Sequence, residues 1–248
     1  LLQLFFLGGT NKRYYGPSFE MVDVRNVMRC LKIIIAVSLA LTSPVSVAQS
    51  GEPSFVAVDE NLWVTFYDVP SHRFRAIRDA FVRRNFESSS RDLVTSASYL
   101  KIESGRAVPG IAERLEDVAA QMMSISQNIG DKNVTATTLD QLFGRAHWLL
   151  AQHYLHFARE SRNADNNRMS GRYLWATAHH LERAVLWSNA RIDKNVVTTL
   201  EELRDLASRL QDSETAPAAR KEKPIARAEK LLVKLGAEID RPVVLNIQ

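Results

Sequence analysis

The sequence predicts an all-α protein: an antiparallel helical bundle of six to seven amphipathic helices. Three observations carry this. Apolar residues recur at steps of three and four through most of the chain beyond residue 70, the pattern of a helix with one buried face. Pro109, Gly110 and Gly130 fall between these stripes, where helices start and stop. Strand-like alternation is confined to one short stretch, in which Leu62, Val64 and Phe66 alternate.

That stretch, Phe55 to Val69, suits either a strand or a short helix ending before Pro70. Phe74, Ile77 and Phe81 then begin a stripe that stops before Asn85. Leu93, Ala97 and Leu100 continue one beyond it. A further stripe runs through Ile111, Leu115, Val118, Met122, Ile125 and Ile129. Leu139, Leu142, Ala146, Leu149, His153 and Phe157 form another, and Leu174, Ala178, Leu181 and Val185 the next. Val197, Leu200, Leu203, Leu206 and Leu210 follow. Residues 212–223 are polar and read as a linker. Pro224 suits the first turn of a last helix carrying Ile225, Ala228, Leu232, Leu235 and Ile239. The apolar tail Pro242 to Gln248 suits an extended segment.

Upstream, Met28 to Ala48 reads as a secretory signal peptide. Arg29 and Lys32 supply its positive end, Ile33 to Leu41 its apolar run, and Ser46-Val47-Ala48 its small-residue cleavage site. The apolar run is about half of what a membrane-spanning helix needs, so no transmembrane anchor is expected in the mature form. Cys30 precedes that run, where a lipid-bearing cysteine would follow it. Residues 1–27 read as an upstream segment outside the gene product. The expected organisation is therefore 1–27 upstream segment, 28–48 signal, 49–211 bundle, 212–223 linker and 224–248 last helix and tail. The expected location is the periplasm, or otherwise the extracellular space.

Charge narrows the partners. Of 32 Lys/Arg and 28 Asp/Glu, five and two lie within residues 1–48, leaving 27 and 26 in the mature chain, a net of +1. No nucleic-acid partner is expected from so balanced a chain. The single cysteine, Cys30, leaves with the signal, so the core must hold the fold without disulfides. About 200 residues suffice for that.

Two halves share residues. Ser89, Arg91, Leu93, Ala97 and Leu100 match Ser170, Arg172, Leu174, Ala178 and Leu181 at an offset of 81. Glu113, Leu115, Asp117 and Ala119 match Glu201, Leu203, Asp205 and Ala207 at an offset of 88. Two related three-helix units, separated by a seven-residue shift in the third helix, would produce this. The turn Arg84-Asn85-Phe86-Glu87 resembles the punctuation of tetratricopeptide-like hairpins over about 30 residues. That family's spaced Trp, Gly, Tyr and Pro are not reproduced.

Residues able to carry chemistry gather between 143 and 187. His153 sits on a stripe and should face the core, with His156 beside it and Glu160 one turn on. His179 and Glu182 lie at i and i+3 on the next helix. If those helices are antiparallel neighbours, His153, His156, Glu160, His179 and Glu182 would converge, and imidazole with carboxylate between helices suits a transition metal. Trp148, Tyr154, Trp175 and Trp187 in the same helices would line a ligand pocket, mark an interface or serve as large core residues. No nucleophile elbow or phosphate-binding loop occurs, and no catalytic residue is assigned. The leading expectation is an exported non-catalytic helical-bundle protein with a protein-interaction or envelope-homeostasis role. Its partner would be another envelope or secreted protein, or a second copy of the chain. The alternative is a bundle that binds a metal or small ligand through the histidines of its two central helices.

Overall fold

A computed structural model of the chain describes residues 59–190, 192–212 and 219–240, without the side chains of 219–222. The segment 28–48 expected to be an export signal, residues 1–27, residues 213–218 of the expected linker and the tail Pro242 to Gln248 lie outside the described residues. Every regular element among the described residues is a helix, and none is a strand. It comprises α1 (Glu60–Trp63), a 3-10 turn (Val64–Phe66), α2 (Val69–Val82), α3 (Phe86–Ser104), α4 (Pro109–Gln127), α5 (Ala136–Asn163), α6 (Asn167–Trp187), α7 (Lys194–Asp212) and α8 (Ala219–Ile239). The segment that alternates like a strand is thus α1 and its 3-10 turn.

Local chemistry sets the helix starts. Asn85 and Asn166 accept the backbone N–H of Ser88 and Met169, at 3.2 and 3.1 Å, and so cap α3 and α6. Thr135 and Thr138 close a reciprocal box at the start of α5. Asp193 accepts from Val196 N at 3.0 Å ahead of α7. Pro109 opens α4, where its missing N–H would have had no partner.

α5 is the central element. Every residue from Leu142 to Ala151 is buried, because the helix packs against α2, α4, α6 and α8 at once. α2, α3 and α4 form one up-and-down set, and α5, α6 and α7 a second. α8 closes across α5, α6 and α7, burying Ile225, Ala228, Leu231, Leu232, Leu235 and Ile239.

The two sets share geometry at an offset of 81. Arg84 and Asp165 both take φ near +60° in the hairpin turn. Ser89 Oγ donates to Ile77 O at 2.9 Å, and Ser170 Oγ to Ala158 O at 2.8 Å. Ser96 and Thr177 each bond back to the carbonyl four residues earlier. All seven buried positions of α3 are buried again in α6. In the third helices, Ser126 O receives Ser90 Oγ at 2.8 Å, while Ala207 O faces Gly171. That pair also keeps the offset of 81, not 88. Seven residues are two turns, so a shifted match returns to the same helix face and is indistinguishable in the apolar pattern.

Two expected details differ. Val196 is buried and Val197 is 43% exposed; both lie within a turn of Leu200, and the cap at Asp193 fixes which one faces inward. α8 begins at Ala219, so Pro224 lies inside the helix rather than in its first turn. The upstream Ala, Arg, Lys and Glu are strong helix formers and extend it.

Close packing makes a glycine pair informative. A Cβ at Gly171 would stand 2.7 Å from Ala207 O, a backbone atom, whereas at Gly110 it would meet nothing within 4 Å. Gly171→Ala is expected to lower stability by about 2 kcal/mol through overpacking. Gly110→Ala is expected to raise it by about 0.5 kcal/mol by restricting the unfolded chain. Urea midpoints of the two variants check both signs.

Candidate functional site

The α3 stripe Leu93, Ala97, Leu100 continues one step of three further to Glu103, and the helix carries this carboxylate into the core, where it is 0% exposed. At the matching place in the second set stands Ala184, also buried. The helical frame therefore accommodates an alanine there, and the carboxylate is an addition to it.

Four donors surround Glu103. Trp63 Nε1 and Tyr154 OH donate to Oε1 at 2.9 and 2.8 Å. His153 Nε2 and Arg106 Nη1 donate to Oε2 at 2.9 and 2.8 Å. Because Tyr154 gives its proton to the carboxylate, Tyr99 OH donates to Tyr154 OH, 3.1 Å away. Burial pushes the Glu103 carboxyl upward. The hydrogen bond and charge of His153, the charge of Arg106 and the Tyr154 hydroxyl together outweigh it, and the net shift is downward. Burial and the charge of Glu103 push the Tyr99 hydroxyl well above its ordinary range, so it stays a donor.

The cluster extends on both sides. Arg106 pairs with Glu60, which also receives the Tyr173 hydroxyl, and its guanidinium lies 5.3 Å from the ring centroids of both Trp63 and Phe157. Deeper in, His180 stacks on Tyr154 at 5.4 Å and 3°. Its Nδ1 meets His147 Nδ1 at 2.9 Å, so the two rings hold opposite tautomers. Burial depresses both, reinforced for His147 by His179 and Arg183 and for His180 by His147, His179 and His153.

The residues singled out in the sequence separate. His153 faces the core as expected, against Glu103. His156 is half-buried on another side of α5 and lines a surface groove. Glu160 is exposed. His179 Nε2 meets Ser71 Oγ at 2.7 Å, and burial lowers its pKa to about 4. Glu182 pairs with Arg204 of α7. The five do not converge, and no three His, Cys, Asp or Glu side chains are grouped to hold a metal ion among the described residues. Of the aromatics, only Tyr154 belongs to the carboxylate cluster. Trp148 donates to Leu232 O at 2.8 Å under Arg114. Trp175 donates to Tyr67 OH. Trp187 packs edge-on to Phe143.

Sequence reasoning missed Glu60, Trp63, Tyr99, Glu103, Arg106, Tyr173, His147 and His180. One signal was present: a carboxylate at the next step of an apolar stripe.

The groove, of about 690 Å³, lies where α5, α8 and the start of α4 meet. Trp148, Leu155, Leu232 and Val233 give it an apolar lining, and Arg114, Arg159, Glu229 and Asp240 are charged groups along it. Gly236 lets α8 approach this closely, since a Cβ there would stand 2.5 Å from the Trp148 ring. No helix among the described residues is long and apolar enough to cross a membrane.

Two variants separate charge from shape at Glu103. Glu103→Ala strands Arg106 and His153 beside a void and is expected to cost about 3 kcal/mol. Glu103→Gln keeps an acceptor for Trp63 and Tyr154 and is expected to cost clearly less. Equal losses in thermal melts would mean that charge, not shape, governs the site. Acidity gives a second check. His147, His179 and His180 are depressed when folded, so their contribution is complete above about pH 6.5, the unfolded value, and lost as pH falls below it. Glu103, also depressed, adds a loss below about pH 4.5. Denaturant midpoints should hold from pH 8 to 7 and fall steadily from pH 6.5 to 5. A midpoint that rises on acidification would contradict burial of neutral rings.

No family model, no curated protein and no solved structure matches this chain.

Proposed function

We propose that this chain is an exported, non-catalytic helical-bundle protein that works by binding a partner polypeptide in the cell envelope or outside the cell. The observation that carries the reading is the α5–α8 groove. Trp148, Leu155 and Val233 give it an apolar lining, and Val233 is 77% exposed. Arg114, Arg159, Glu229 and Asp240 supply charges of both signs along it. Apolar anchors rimmed by polar groups are how helical proteins hold a helix or an extended peptide. The export half of the reading rests on Met28 to Ala48, and the interaction half on the groove. Recurrence at an offset of 81 supports two copies of one three-helix unit, with α8 closing the groove against α5 of the second copy.

A metal- or small-ligand role for the bundle is the second reading. The five histidines and carboxylates first grouped for it lie apart. The buried Glu103–His153 cluster is the observation that favours a small ligand.

A photo-reactive residue placed at Val233 tests the first reading, with one at Val82, an exposed apolar position on α2, as the control. In the native host, the protein recovered outside the cytoplasm should begin at Gln49 and crosslink one discrete partner from position 233 and none from 82. Identical smears from both positions, or no product at 233, would refute groove-mediated binding. A crosslink to a second copy of the chain would replace the partner with self-association.

A further inference from the structure

The segment Asp59–Tyr67 lies across the bundle as a strap. α1 buries none of its residues, and the 3-10 turn buries only Val64. Polar and ring contacts hold it instead. Asn61 accepts from Arg172 through its carbonyl and its Oδ1, at 3.2 and 3.3 Å. Glu60 takes Arg106 and Tyr173. A segment with so little buried apolar surface opens at low free energy compared with the core.

Val64 is buried in the core and Tyr67 packs against it, while Trp63 is the strap's contact with the carboxylate cluster. Its ring stacks on Tyr99 at 6.0 Å and 11°. Its N–H points at Glu103 Oε1, 2.9 Å away. The guanidinium of Arg106 lies 5.3 Å from its centroid. A flat aromatic face, a buried ionised acceptor and a cation over the ring are the three features that recognise an indole.

Much of the receiving side is also held from outside the strap, while Arg106 and Tyr173 lose Glu60 when the strap lifts. His153, Tyr154 and Arg106 still hold Glu103 when Trp63 leaves. Phe157 still holds the Arg106 guanidinium. Tyr99 still bonds Tyr154. Tyr99 and Glu103 thus keep partners outside the strap, and Glu103 Oε1, still bonded to Tyr154, regains room for a second donor. The frame does not demand the carboxylate, because α6 packs with Ala184 at the matching position. The helix position itself fits an alanine, and a buried carboxylate added there is the kind of costly group that functional sites retain.

We propose that Tyr99, Glu103 and Arg106 form a binding site for an indole, with Trp63 as its built-in competitor. The site lies apart from the α5–α8 groove. Its ligand chemistry is an indole with a free N–H, presented either by a small molecule or by a Trp side chain of a peptide.

The test uses the full chain carrying Trp63→Ala, with indole, N-methylindole and N-acetyl-tryptophanamide as probes in calorimetric titrations. The variant should bind indole about tenfold or more tighter than N-methylindole, which lacks the donor to Glu103. The wild type, already occupied, should bind indole about tenfold or more weakly than the variant. Adding Glu103→Gln to the variant, which keeps an acceptor but removes its charge, should reduce the preference for the free N–H. N-acetyl-tryptophanamide binding as well as indole assigns the site to a Trp side chain; indole alone assigns it to a small molecule. Equal binding of indole and N-methylindole would reduce the site to a void left by a missing ring and overturn the proposal, as would no binding of either. Should Trp63→Ala fail to fold, exchange of the Trp63 indole N–H in the wild type decides. Saturating indole should speed it by displacing the strap, and an unchanged rate overturns the proposal.

Discussion

The Glu103 carboxylate is where three parts of the molecule meet. α3 supplies it, α5 answers with His153 and Tyr154, and the strap answers with Trp63. A carboxylate removed from water is tolerated only when its lone pairs are filled and an opposite charge stands near. Arg106 supplies that charge, and it comes from the loop that ends α3. All four donors meet on this one carboxylate, so the strap, the α3 end and the middle of α5 share one electrostatic centre. Tyr99, His180 and Tyr173 are fixed in turn by what they touch in that set. The positions of seven polar or aromatic side chains are thus tied to one stripe position being Glu rather than Ala.

A second polar junction fixes the other end of α5. Arg145, 5% exposed, donates to Asp117 of α4 at 2.7 Å and to Asp240, just past α8, at 3.0 Å. Arg114 reaches the same Asp240. One guanidinium therefore ties α4, α5 and the end of α8 together. Trp148 adds a bond to Leu232 O one turn further along. These contacts set how deeply α8 sits on α5 and so shape the groove. Apolar burial alone would let α8 slide along the interface, since Leu231, Leu232 and Leu235 offer several equivalent registers. The buried arginine removes that freedom.

The helices were legible because apolar spacing is a local property. The stripes through Leu115–Ile125, Leu174–Val185 and Ile225–Ile239 are buried largely as written, and His153 faces inward because it shares a stripe with Leu149. Which helix each side of α5 meets was not legible. His153 and His156 lie three residues apart, yet one meets Glu103 of α3 and the other the α8 side, because α5 has neighbours all round. His179 turns to Ser71 of α2 for the same reason. Convergence assumed that α5 and α6 faced only each other. Glu103 was passed over because a charged residue normally ends a stripe. Trp63 was passed over because nothing local says that a short segment will cross to a residue 40 positions on. Long-range polar partners are set by topology, and a single sequence does not encode topology in any local window.

α5 consequently carries two working faces. Trp148, Gln152, Leu155, His156 and Arg159 look toward the groove, and His153, Tyr154 and Phe157 toward the carboxylate box. A helix confined by packing on several sides cannot rotate to trade one face for the other, since its core neighbours fit at near-crystalline density. Each face is therefore held rigid by the demands of the other. That is the usual condition for a precise site, which needs side chains whose rotamers are locked from behind. The moving part in this arrangement is the strap, which buries little and lies on the outside. Rigid walls with one weakly held cover place the freedom to respond in Asp59–Tyr67, immediately ahead of the bundle, and leave the helices as the frame against which it opens.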